Sequence, residues 1–75
     1  MATAFVLINA EIGSESEVLE ELKAIPEIKE AHLVYGVYDI ITRLETDIMQ
    51  DLKDTISQKI RRIEKIRSTL TMIVY

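Results

Sequence analysis

Cysteine and tryptophan are absent from these 75 residues, histidine and proline occur once each, and glycine occurs twice. Without cysteine there is no disulfide framework and no thiolate metal site. With His32 as the lone imidazole, one chain does not build a transition-metal centre, and no cofactor is expected. Positive charge is scarce: nine Lys and Arg against thirteen Asp and Glu leave a formal net charge of −4. That balance argues against direct nucleic-acid binding, whose affinity comes mainly from neutralising phosphates. No apolar run approaches the ~20 residues that span a bilayer. The apolar stretch Phe5-Val6-Leu7-Ile8 has no basic residue before it, so it does not read as a signal peptide. The expectation is a soluble cytoplasmic protein with no membrane partner.

What is there is 48% hydrophobic and 29% charged, the composition of a globular chain. Residues 1–75 read as one domain. A core this small supplies only ~3–5 kcal/mol, so such domains usually carry a further staple. With disulfides and metals excluded, self-association is the staple that remains.

Residues 3–11 are rich in strand formers. Ser14 with Glu17 three residues on matches a capping box, and Val18, Leu19, Leu22 and Ile25 follow at helical spacing. Pro26 disfavours helix at Ile25 and ends the element. Residues 28–36 form a second extended run. Gly36-Val37 is short enough for a hairpin into a third strand, Tyr38 to Glu45. Thr46 or Asp47 can cap a second helix with apolar positions Ile48, Met49, Leu52, Ile56 and Ile60. Residues 66–75 close the chain as a strand. The order βαββαβ splits into halves 1–36 and 37–75. Right-handed crossovers then give a four-stranded antiparallel sheet with two helices on one face, the ferredoxin-like α+β fold.

Two helices cover one face of such a sheet. Yet the first strand is apolar at both parities, Phe5 and Leu7 against Val6 and Ile8, and the fourth carries Leu70, Met72 and Val74 against Ile73 and Tyr75. A sheet with one wet face alternates cleanly. Leaving several such side chains in water forgoes about 1.5–3 kcal/mol each, which favours burial of the open face in a sheet-to-sheet homodimer. The more polar set, Arg67, Thr69 and Thr71 with Asp39, Ile41 and Arg43, is expected on that open face. Met49 and Met72 are expected in the core.

The segment Tyr35-Gly36-Val37-Tyr38-Asp39 places a glycine, a tyrosine and a carboxylate at a hairpin tip. Backbone N–H groups exposed there can hold a carboxylate, and Asp39 can accept from an ammonium group, which makes a clamp for a zwitterion. Turn chemistry alone also accounts for G-x-x-D. His32, two residues from Glu30, reads as an exposed or interface histidine. Lys59, Arg61, Arg62, Lys65 and Arg67 form a basic cluster that the helix dipole partly explains. Glu11, Glu15, Glu17, Glu20 and Glu21 read as a solvated face. No nucleophile–base pair or phosphate loop is evident.

Ala4-Phe5-Val6-Leu7-Ile8, the run from Ile25-Pro26-Glu27-Ile28 through Tyr35 to Gly36-Val37-Tyr38-Asp39, and Thr69-Leu70-Thr71-Met72-Ile73-Val74 together carry a resemblance. The chain resembles the effector-binding domain of the Lrp/AsnC transcription regulators, the RAM domain, over nearly its whole length. The resemblance implies a ferredoxin-like fold that dimerises through its sheets and assembles into octamer- or decamer-like rings. It implies amino-acid effectors bound between dimers, at Tyr35, Gly36, Val37, Tyr38 and Asp39 with Thr69 and Thr71. It implies full-length Lrp/AsnC regulators as further partners. Two features depart from the family. The first strand begins within a few residues of Met1, which reads as a stand-alone effector domain without the helix-turn-helix, and the glycine-valine pair before the last strand is Lys65-Ile66. The expected function is therefore an amino-acid sensor rather than an enzyme. Alternatives are an ACT-like amino-acid-binding module using Ile12-Gly13-Ser14, a ligand-free assembly module, and a small dimeric monooxygenase-type enzyme.

Overall fold

The computed structural model describes residues 1–75. Its elements run β1 (Ala2–Ala10), α1 (Glu15–Lys23), β2 (Ile28–Leu33), β3 (Ile40–Thr46), α2 (Met49–Asp54) with a π-helical continuation (Thr55–Ile60), and β4 (Ile66–Ile73). The strands pair antiparallel in the order β2-β3-β1-β4. This is the expected ferredoxin-like arrangement.

β1 is central and paired on both sides, which is why it is apolar on both faces. Ala2, Ala4, Val6, Ile8 and Ala10 are buried toward the helices, and Thr3, Phe5, Leu7 and Asn9 alternate with them on the open face. β3 follows the same rule: Ile40, Thr42 and Leu44 point inward, and Ile41, Arg43 and Glu45 outward. Thr42 is tolerated in the core because its hydroxyl donates to the Val6 carbonyl at 3.0 Å. Val18 and Leu22, one helical turn apart, are fully buried and dock α1 on the sheet. Leu52, Ile56 and Ile60 do the same for the second helical segment. The main contacts of the helices are with β1, β2 and β3, and Ile66 and Ile73 of β4 pack against the same core.

Several local expectations are corrected. Ser14 occupies the N-cap position of α1 without a side-chain bond, so the capping box does not form. Gly13, at φ +87°, turns the chain, and its N–H donates instead to Glu15 Oε1 at 3.0 Å. Ile48, rather than Thr46 or Asp47, stands at the N-cap of α2. The hydroxyl of Thr46 donates to the Ile48 carbonyl at 2.7 Å. Ile48 and Met49 are exposed, so the helix meets the core only from Leu52 onward. Its ladder widens at Thr55, whose hydroxyl donates to the Asp51 carbonyl four residues back and competes with the backbone.

The largest correction concerns β4. Leu7 faces Leu70, and Phe5 faces Met72, so these side chains share the open face, and Met72 is exposed rather than core. Val6 faces Thr71, and Ile8 faces Thr69, which puts both threonines on the helix side. They sit there half-buried on an edge strand, outside the fully buried core. The expected open-face placement of Ile41 and Arg43 is what the structure shows; that of Thr69 and Thr71 is reversed.

Candidate functional site

The link between β2 and β3 is longer than the two-residue turn expected. Leu33 pairs with Ile40, and residues 34–39 form the loop. The Val34 N–H donates to the Asp39 carbonyl at 2.8 Å, and the Asp39 N–H to the Ile8 carbonyl at 3.0 Å. Between these anchors, the N–H groups of Tyr35, Gly36, Val37 and Tyr38 have no acceptor in the chain. Gly36 carries φ +152°, which a side chain disfavours. Tyr35 and Val37 stand almost wholly in solvent, and Tyr38 and Asp39 are half-buried.

Asp39 is held from below. Its Oδ2 accepts from the Ala10 N–H at 3.1 Å, at the last residue of β1. This bond ties the hairpin to the β1–α1 turn across 29 residues and leaves Oδ1 without a protein donor. The carboxylate completes the turn through Oδ2, and Asp39 also lines two hollows.

Two hollows meet at Asp39. One, of about 350 Å³, is walled by Val37 and Asp39, by Ala10, Ile12 and Glu15, and by Asn9, Arg67 and Ser68. The other, of about 270 Å³, is bounded by Leu33, Val34 and Tyr35 with Glu15 and Asp39. Glu15 and Asp39 stand between them. The hairpin and the Ile12-Gly13-Ser14 turn, the two loops that separate the alternative ligand sites, thus converge on one place. Tyr35, Val37 and Asp39 line these hollows, with Gly36 and Tyr38 in the same loop. Thr69 and Thr71, on the helix side of β4, are not brought to them.

Arg67 is the wall residue that sequence reasoning missed. Asn9 pairs with Ser68, but Ala10 pairs with Ile66, so the register slips by one at Arg67. Such a bulge re-aims the extra side chain. The signal was Arg67 itself, a charge interrupting an apolar strand, but nothing in the alternation marks the slip.

Some charges elsewhere form local pairs. On the open face, Arg43 bonds Glu30 at 2.6 Å and Glu45 at 3.0 Å, and His32 lies 3.4 Å from Glu30. The hydrogen bond from Arg43, then that from His32, holds the Glu30 carboxyl below its usual range, and Glu30 in turn raises Arg43. In the basic cluster, Lys59 bonds Glu27 at 3.0 Å and Lys65 bonds Glu17 at 3.0 Å. Lys59 lowers the Glu27 carboxyl, and Glu17 raises the Lys65 ammonium. Exposed on the open face are Leu70, Met72 and Val74, beside Phe5, Leu7 and Ile41. No group of His, Asp and Glu is placed to hold a metal ion, and no helix is long and apolar enough to cross a membrane.

The chain is similar to known proteins over nearly its whole length. The family model of the Lrp/AsnC ligand binding domain matches residues 3–75. An uncharacterized HTH-type transcriptional regulator of Pyrococcus abyssi is 37% identical over 71 residues, 95% of this chain and 45% of its own. The crystal structure of FFRP-DM1 superposes with a TM-score of 0.95 at 49% identity, covering all of both chains. Escherichia coli AsnC superposes with a TM-score of 0.89 at 27% identity, over 97% of this chain and 50% of that one. The chain spans about half the length of the curated relatives it matches.

Proposed function

This chain belongs to the Lrp/AsnC ligand-binding domain family, a family of transcription-regulator domains rather than of enzymes, and we propose that it senses amino acids. The observation that carries the reading is the hairpin itself: four consecutive unpartnered N–H groups next to a half-free, firmly anchored carboxylate. The N–H groups of Tyr35, Gly36, Val37 and Tyr38 receive the effector's carboxylate, and Asp39 Oδ1 receives its ammonium. Thr69 and Thr71 reach an effector only through another subunit, since they lie across β4 from these hollows.

Both hollows are open to solvent, so one subunit encloses an amino acid only in part. The subunits pair through the apolar open face, where Leu70, Met72 and Val74 stand exposed. Pairs then associate so that the hairpin of one is closed by another, in a ring of octamer or decamer type. A ligand seated across that contact binds the assembly better than its parts and shifts the population toward it. The assembly acts in the cytoplasm on amino-acid status, with full-length Lrp/AsnC regulators as partners.

The test is thermal unfolding with each of the twenty amino acids. A ligand at a hundred times its Kd stabilises by about 2.7 kcal/mol, and 1 kcal/mol moves Tm by roughly 4–8 °C in a domain of this size. At least one amino acid is expected to raise Tm, and Asp39→Asn is expected to abolish the rise. A flat response to all twenty refutes the proposal.

A further inference from the structure

The 350 Å³ hollow and its neighbour differ in chemistry, and the difference bears on which amino acids fit. Beyond Asp39, the smaller hollow is walled by Leu33, Val34 and Tyr35. The larger one ends on Asn9, Arg67 and Ser68. Asn9 Nδ2 donates to Ser68 Oγ at 3.3 Å, which leaves the serine O–H free to donate. Arg67 forms no ion pair and no side-chain hydrogen bond, unlike Arg43, Lys59 and Lys65. The two acids of this wall are each engaged at one oxygen: Asp39 by the Ala10 N–H and Glu15 by the Gly13 N–H. One end of the hollow is thus acidic and anchored, and the other holds a free guanidinium and a hydroxyl, both able to donate. The one-residue slip between Asn9 and Ala10 is what places Arg67 there.

We propose that Arg67 is the specificity-determining residue of the effector cleft and selects amino acids whose side chain ends in a carboxylate. The proposal rests on the amino-acid-sensing reading. With the α-carboxylate on the hairpin amides and the ammonium on Asp39, the side chain of aspartate or glutamate extends along the larger hollow. Its carboxylate meets the fork of Arg67, a bidentate pairing that a carboxamide or an alkyl group does not reproduce. The Ser68 hydroxyl adds a donor to the same group.

Isothermal titration of the full chain with aspartate, glutamate, glutamine, leucine and isoleucine, on wild type, Arg67→Gln and Arg67→Lys, tests this. Wild type is expected to bind aspartate or glutamate at least tenfold more tightly than leucine or isoleucine. Arg67→Gln is expected to weaken the acidic ligand by about ten- to a hundredfold, the range of a lost charge-assisted pair, and to leave leucine within about threefold. Arg67→Lys, which keeps the charge without the fork, falls between. Arg67 is exposed on a strand edge, so neither variant disturbs the core. A wild type that binds leucine or isoleucine best, or an equal loss for all ligands in Arg67→Gln, overturns the role of Arg67 and leaves amino-acid sensing standing. A wild type that binds none of these five overturns the role of Arg67, and if no amino acid raises Tm in the thermal series either, both readings fall.

Discussion

Asp39→Ala separates the two roles of one carboxylate when it is compared with Asp39→Asn. In the folded chain, Asp39 Oδ2 accepts the Ala10 N–H at 3.1 Å, and Ala10 is 2% exposed. Alanine leaves that part-buried N–H without its protein partner. An unsatisfied buried donor costs about 1–3 kcal/mol. A 75-residue domain has a total stability of roughly 4–11 kcal/mol, so the loss is a large fraction. It corresponds to a fall in Tm of roughly 5–20 °C. Asparagine keeps a carbonyl oxygen for Ala10 and is expected to recover most of the stability. It carries no charge for an ammonium group, so it is not expected to recover the ligand response. The assay is urea unfolding at one protein concentration, since self-association makes stability depend on it. The midpoint of Asp39→Ala falls with the slope unchanged. If Asp39→Ala unfolds at the wild-type midpoint, the anchor carries no load, and the hairpin is held by its backbone bonds alone.

Three further outcomes follow from the same geometry. Leu70→Asp or Met72→Asp on the open face is expected to dissociate the pair, because each lost contact forgoes about 1.5–3 kcal/mol and a two-fold interface loses it twice; sedimentation velocity that still shows the wild-type assembly counts against this face. Leu52→Ala, at a fully buried position, is expected to cost about 2–5 kcal/mol in chemical unfolding, while Met49→Ala on the same helix costs little because Met49 is exposed. The Glu27 carboxyl is held low by Lys59, so its folded value lies beneath its unfolded one. The pair therefore stabilises at neutral pH, and that contribution is lost as pH falls below about 4.5. Lys59→Met should shrink the drop in urea midpoint between pH 7 and pH 3, by less than about 1 kcal/mol for a pair this exposed. An identical drop in both proteins would remove the pair from the acid response.

The element order and the sheet were legible because the apolar patterns are long and the punctuation is strong: Gly13 before α1, Pro26 after it, Gly36 between β2 and β3. The faces of β3 were legible too, since Ile40 and Leu44 leave Ile41 and Arg43 for the open side, whereas β1 is apolar at both parities and its sequence does not say which face meets the helices. β4 was not. Its alternation reads as one continuous strand, but the slip at Arg67 exchanges the faces on either side of it. Ile66 and Ser68 have the same parity and lie on opposite sides. Thr69 and Thr71 were assigned outward on the rule that the helix side resists polar groups, a rule that weakens on an edge strand where both stay only half-buried. For the site, the hairpin residues were visible in the sequence as a loop with glycine and acid. The bond from Ala10 to Asp39, the meeting of that loop with Ile12 and Glu15, and the turn of Arg67 into the same hollow all join residues far apart in the chain. No local pattern encodes them.

The central claim is that an amino acid completes a cleft that a second pair of subunits must close. Light scattering after size exclusion, with and without each amino acid, measures this as mass. The account predicts a species of at least two 8.6 kDa chains without ligand and a shift to a larger, discrete mass with at least one amino acid. A mass of one chain that no amino acid changes would contradict it.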